Sequence, residues 1–201
     1  MSKILTPDKP VVEKAAWSPV WYIKRFENSE AFAAYWKELK AKARALRFSN
    51  GIWHPDFEKL SLDLAPRFAY AVNEVPNNGL ANDGCDEIWT LVGGSGGTQF
   101  DNTNAHLGAG NSSDVFDATE TDLQGASKKR CAMMETYPTY GSSQKITFKS
   151  SFGSDDANFA WEEFAAFNAS ESGTMLNRKV ESEGTKTSGQ TWELTLEITL
   201  S

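Results

Sequence analysis

Residues 191–200, TWELTLEITL, alternate without a break. Successive side chains of an extended chain point to opposite faces, so Trp192, Leu194, Leu196, Ile198 and Leu200 share one side of a strand and Glu193, Thr195, Glu197 and Thr199 the other. One dry face and one wet face is the pattern of an antiparallel sheet packed on a core. The same period recurs upstream. KITFKSSFG (145–153) sets Ile146 and Phe148 against Lys145, Thr147 and Lys149, NAHLGAG (104–110) alternates Ala105, Leu107 and Ala109, and TMLNRKVES (174–182) is a further run. YGSSQ and GTKTSGQ supply turn residues between such runs. The segment ANFAWEEFAAFN (157–168) fits either period, but its aromatic density and bounded length favour a strand with Phe159, Trp161, Glu163, Ala165 and Phe167 on one face. A carboxylate on that face needs donors or an interface, since unpaired burial costs several kcal/mol. The fold class that follows is mainly β: an antiparallel β-sandwich body with an N-terminal extended arm and one or two helices.

The first 75 residues differ in character and are read as an arm plus an amphipathic helix, ahead of a body at 76–201. They hold Pro7, Pro10, Pro19, Pro55 and Pro66, five of the chain's seven prolines. MSKILTPDKPVVEKAAWSPVWYIKRF is too rich in proline for a helix and, with Trp17, Trp21 and Tyr22, too apolar to lie free in water, so it is expected to lie on its own body or on a neighbouring subunit. In NSEAFAAYWKELKAKARALRF, Asn28 is suited to cap a helix with Glu30 in its first turn, and Phe32, Trp36, Leu39, Ala43 and Leu46 form one stripe. Lys37, Lys40, Lys42, Arg44 and Arg47 fall mostly off that stripe, as a solvated face or a dock for an acidic partner. SNG at 49–51 ends it. A second helix is expected from Asn82 or Asp83 through Leu91, with Ile88, Leu91 and Val92 inward and Gly93–Gly97 stopping it, and one helical turn within 117–125.

The chemistry-bearing residues do not form a recognisable catalytic set. The two histidines, His54 and His106, have no second ligand at helical spacing. No GxSxG elbow nominates a serine. The glycine runs at 93–97 and 108–110 lack the strand, lysine and helix that phosphate loops require, and are read as turns. The carboxylate pairs Asp155-Asp156 and Glu162-Glu163 are adjacent in sequence, which says nothing of the spatial separation a glycosidase needs. No metal or cofactor is expected. A net charge of −7, from 20 basic and 27 acidic residues, opposes a general nucleic-acid surface. No apolar stretch is long enough for a membrane helix, and Cys85 and Cys131 read as reduced, partly buried thiols. Tyr137 and Tyr140 are the candidates for stacking on a glycan, with Trp161 and Trp192 read as core residues.

Three ordered segments, Asn102–Gly125 (NTNAHLGAGNSS…F…TDLQG), residues 157–168, and the closing LNRKV…G…TWELTLEITLS, resemble small structural proteins of tailed bacteriophages. They are also similar to the collar or fibre-attachment region at the base of phage tail fibres. Trp161, Glu163, Phe167 and Asn168 occupy matching places in the second segment. The resemblance covers about residues 78–201 and carries no catalytic residue. It implies a non-enzymatic virion component of the neck or tail, made in the host cytoplasm and assembled as a ring or trimer against other neck, tail or capsid proteins. A receptor- or glycan-binding module of the same particle is the alternative, and a hydrolase with an unrecognised site a third. On this reading Trp17, Trp21, Tyr22, Phe32, Trp36 and Leu39 are interface residues, and removing residues 1–25 leaves a folded body.

Overall fold

The computed structural model describes residues 16–46 and 57–201, without the side chains of 45 and 46. In chain order these form β1 (Trp17–Phe26), α1 (Ser29–Lys42), a 3₁₀ turn (Ala43–Leu46), α2 (Phe57–Leu64), a second 3₁₀ turn (Ala65–Arg67), β2 (Ala71–Pro76), β3 (Gly79–Leu80), α3 (Asn82–Gly93), β4 (His106–Gly110), β5 (Lys128–Ala132), β6 (Thr139–Ser142), β7 (Lys145–Phe152), β8 (Ala160–Phe167), β9 (Met175–Thr185) and β10 (Thr191–Leu200). The strands form two five-stranded sheets, ordered β2-β1-β10-β7-β6 and β3-β9-β8-β4-β5. All the pairings are antiparallel. This is the mainly β, two-sheet body that the alternating runs imply. Among the described residues, no helix is long and apolar enough to cross a membrane.

The sheets face each other across an aromatic core. Trp192, Leu194, Leu196 and Ile198 of β10, Trp21 and Ile23 of β1, and Phe148 and Phe152 of β7 meet Trp161, Phe164 and Ala166 of β8 and Leu107 and Ala109 of β4. Trp161 sits edge-on to Phe152 and Trp192, with centroids 4.7 and 4.9 Å apart, and Trp21 lies 5.9 Å from Phe164. Offset and edge-on pairs of this kind add to the area they bury.

Residues 17–26 are not an appendage. They run as β1 down the first sheet, paired with β10 from Trp17↔Leu200 to Phe26↔Thr191 and with β2 from Val20↔Pro76 to Arg25↔Ala71. Pro19 is tolerated because its carbonyl, and so its missing N–H, faces the β2 side just past the last β1–β2 pair, where that carbonyl accepts from the Asn77 N–H at 3.1 Å. The sandwich therefore draws β1 and β2 from the residues assigned to the arm region. Residues 1–15 and the SNG helix stop at 49–51 lie outside the described residues.

The helices follow local signals unevenly. Asn28 caps α1 by accepting from the Ala31 N–H at 2.9 Å, with Glu30 in the first turn, and Gly94 closes α3 in the left-handed region at φ 69°. Neither Asn82 nor Asp83 caps α3. Ala81 holds that position, and the Asn82 N–H donates to the carbonyl of Ala118 at 2.8 Å instead. Residues 117–125 form turns rather than a helical turn, organised by Asp117 accepting from the Thr119 N–H. On β8 the expected face is broken. A register shift between Trp161 and Glu163 turns Trp161, Phe164 and Ala166 toward the main core, while Ala165 and Phe167 turn outward against Leu123, Met175 and Ala81. An extra residue in a strand pair reverses the facing of everything after it.

Because β1 is an internal strand, a chain beginning after Phe26 is expected to lose cooperative unfolding, and Trp21→Ala to cost about 3–5 kcal/mol. Denaturant titration followed by tryptophan fluorescence checks both. A truncated chain with the full-length midpoint contradicts the assignment of β1 to the core.

Candidate functional site

The outer face of the first sheet is polar in sequence yet dry in the structure. Lys24 of β1, Lys149 of β7 and Glu193 of β10 are at most 1% exposed, and Thr195 and Glu197 are buried too. The face expected to be wet is instead covered by α1 and α2, which bring Tyr35, Trp36, Phe57 and Ser61 down onto it. Every ion of the group is mated. Lys24 Nζ donates to Glu193 Oε1 at 2.6 Å and to Ser61 Oγ at 2.7 Å, while Trp36 Nε1 donates to Glu193 Oε2 at 2.9 Å. Lys149 Nζ donates to Glu58 Oε2 at 2.7 Å, lies 3.8 Å from Glu193 Oε1, and stands over the Tyr137 ring at 4.8 Å. The Tyr137 hydroxyl donates to the other oxygen of Glu58. Two ammonium and two carboxylate groups thus neutralise one another under the helices.

Such burial is costly unless each ion keeps good geometry. Burial pushes the Glu58 carboxyl up, but the Lys149 and Lys24 ammonium groups outweigh it and hold it below the ordinary glutamate value. The Tyr137 phenol is pushed well up by burial and by the charge of Glu58, and the Tyr35 phenol up by burial and Glu193. The arrangement fixes charge and anchors helices. Its Lys149 amine is fully buried and already bonded, so it is not presented to a substrate.

The outer face of the second sheet is covered as well, by the segment 111–127. Glu163, fully buried, accepts from the Gln124 N–H at 3.0 Å, the Gly125 N–H at 2.6 Å and Arg178 Nε at 2.6 Å. Arg178 reaches on to Glu120 and to the carbonyl of Asp114. The donors that the sequence required for Glu163 therefore come from the covering segment and from Arg178 of β9. The glycines around it are steric requirements. A Cβ on Gly110 would sit 2.2 Å from Glu163 Oε1, and one on Gly125 would sit 2.5 Å from the Asn111 nitrogen.

Among the described residues, the most apolar of the open concave surfaces lies at one end of the sandwich. It is an apolar groove of about 1020 Å³ between α3 and the β6–β7 hairpin. Phe148, Leu176 and Ile198 form its buried floor, and Trp17, Leu91, Val92, Tyr140 and Leu200 its sides. α3 reaches this position because Gly84 lets it lie on β9, where a Cβ would meet the Leu176 carbonyl at 2.4 Å. Val92 is 72% exposed, Tyr140 66% and Leu200 55%, with Trp89 65% exposed on the same helix. Val92 was expected to face inward and does not. The charged groups at the groove are engaged: Lys145 pairs with Glu197 at 2.7 Å, and Asp101 accepts from the Thr103 and Asn104 N–H groups.

The residues singled out in the sequence scatter between core and groove. Trp17 lines the groove, with Nε1 toward Asn78 Oδ1 at 3.4 Å. Trp21 and Leu39 are wholly buried in the chain's own core, which corrects their assignment to an interface. Phe32 and Trp36 are partly buried against that core, and Tyr22 is half-buried, its phenol pushed up to about 12 by burial and then by Glu197. Tyr137 is 1% exposed and bonded to Glu58, so it offers no stacking face, whereas Tyr140 does. Trp161 and Trp192 are core residues. Cys85 and Cys131 are unpaired and half-buried, with burial pushing the Cys131 thiol up to about 12. His106 Nδ1 lies 2.8 Å from the Asn104 carbonyl, and His54 is outside the described residues. Among the described residues, no group of three or more His, Cys, Asp or Glu is placed to hold a metal ion. Tyr35, Lys24 and Glu58 were missed by sequence reading. The available signal was that Lys149 and Glu193 fall on polar faces of strands that turn out to be neighbours.

No protein-family model matches the chain, and no curated protein or solved structure does.

A lowered Glu58 value in the fold means stability that is present above the unfolded value of about 4.3 and lost as pH falls through the folded value. Denaturation at stepped acidic pH is expected to show that loss, and Glu58→Gln to flatten it while lowering stability near neutrality. An identical acid limb in the variant contradicts the role given to Glu58.

Proposed function

We propose that the chain is a non-enzymatic structural component of a tailed-phage virion, a collar or fibre-attachment part of the neck or tail, held in a symmetric oligomer and in contact with other virion proteins. The observation that carries this reading is the open apolar groove beside Tyr140, Val92 and Leu200, in a body whose buried charges are mated internally. An apolar lining whose lysine and aspartate are already engaged suits an apolar partner better than a small polar substrate. The three segments that carry the phage resemblance also form one unit. Asn102–Gly125 supplies β4 and most of the cover over Glu163, residues 157–168 hold β8, and the closing segment holds β9 and β10. A part whose work is to be held benefits from such a closed, doubly covered body.

The second reading, a receptor- or glycan-binding module of the same particle, is favoured by one observation, the exposure of Tyr140. Without Tyr137 the platform shrinks to a single ring.

Light scattering on the purified full chain at micromolar concentration is expected to give the mass of a closed oligomer, ring or trimer. A monomer across that range contradicts the proposal, and saturable binding on a glycan array that Tyr140→Ala abolishes favours the second reading.

A further inference from the structure

We propose that the end groove receives the Ile4–Val12 segment of a second copy of this chain. This rests on the oligomeric reading above and names its contact. The described chain begins at the groove mouth. Ala16 exchanges backbone hydrogen bonds with Ser201, and the next residue, Trp17, lines the groove with Leu200. Fifteen residues precede Ala16, enough for a reach of roughly 50 Å when extended. Their sequence, MSKILTPDKPVVEKA, places Ile4, Leu5, Val11 and Val12 within a segment whose charges nearly cancel. A groove whose lysine and aspartate are already engaged matches the apolar side chains Ile4, Leu5, Val11 and Val12 and demands nothing of Asp8 or Lys9.

The direction of the chain selects a second copy over the segment's own groove. β1 enters the sheet at Trp17, while the groove floor lies back along the strands at Phe148, Leu176 and Ile198. Occupying its own groove would demand a reversal next to Ala16. Glu13, Lys14 and Ala15 contain no glycine, proline, asparagine, aspartate or serine to make that turn. The first turn chemistry is Pro7-Asp8-Lys9-Pro10, which could return Ile4 and Leu5 but not Val11 and Val12, so the strip as a whole fits only a neighbour's groove. Handing the strip to a neighbour satisfies both grooves and generates a repeating contact that closes into a ring when the rotation permits.

The test is photo-crosslinking of the full chain carrying a benzophenone amino acid at position 5, mixed from isotopically heavy and light copies and mapped by mass spectrometry. The expected result is heavy–light crosslinks onto Leu91, Tyr140 or their groove neighbours. These should fall at least about tenfold, equivalent to about 1.4 kcal/mol, in Val92→Glu and Tyr140→Glu. Both residues are exposed, so the variants should keep the parent unfolding midpoint. Crosslinks confined within single copies overturn the second-copy assignment. Crosslinks elsewhere, or undiminished in the variants, overturn the groove assignment; an oligomer that persists by light scattering then leaves the proposed function standing, and a monomer removes both.

Discussion

The pairing of β1 with β10 is the constraint on which the rest of the molecule depends. It joins residues 17–26 to 191–200 over a ten-residue ladder, so the first sheet exists only once the two ends of the described chain have met. The inner faces of these two strands supply Trp21, Ile23, Trp192, Leu194, Leu196 and Ile198 to the core, and their outer faces supply Lys24 and Glu193 to the buried ion group. Contacts between residues so far apart in sequence carry a large loop-closure cost that local structure cannot offset. The aromatic interlock around Trp161 is what the closed arrangement gains in return.

Both sheets then bury their outer faces by a shared device. A charged strand residue is left inside, and a covering segment supplies its partners. Under α1 and α2 the partners are side chains, with Ser61, Trp36 and Glu58 completing the lysines and Glu193. Under the segment 111–127 they are the backbone N–H groups of Gln124 and Gly125, joined by Arg178. Removing one member of such a set strands its partner in a dry site, a loss of about 3–5 kcal/mol, so the covers are locked in position as well as attached. The end of the sandwich between α3 and the β6–β7 hairpin has no comparable cover among the described residues, and Val92, Tyr140 and Leu200 stand exposed there.

The period-2 runs at 104–110, 145–153, 174–182 and 191–200 made the β class and four strands readable, because alternation is a property of single residues. Asn28 and Gly94 were readable for the same reason. What was hidden depends on partners distant in sequence. TWELTLEITL reads as half wet because sequence shows Glu193 as a charge and does not show that Lys24 and Trp36 will meet it. The β1 segment reads as an arm because Pro19 and its aromatics suit one equally well, and only the end of the β1–β2 pairing beside it makes Pro19 harmless. Glu163, Ala165 and Phe167 share a face as read, but Trp161 does not, because the register shift between Trp161 and Glu163 reverses the strand there. The groove was invisible because it is shared among α3, β6, β7, β9 and β10, none of which is concave alone.

β1, β10 and β7 are successive neighbours in the first sheet, so none of the three is expected to open without the others. Amide hydrogen exchange on the full chain tests the closure most directly. Strands β1, β10 and β7 are predicted to exchange together, at the slow rate set by global unfolding. Exchange of β1 many-fold faster than β10 and β7, with the latter still protected, would mean that residues 17–26 are a detachable strap and that the sandwich stands without them.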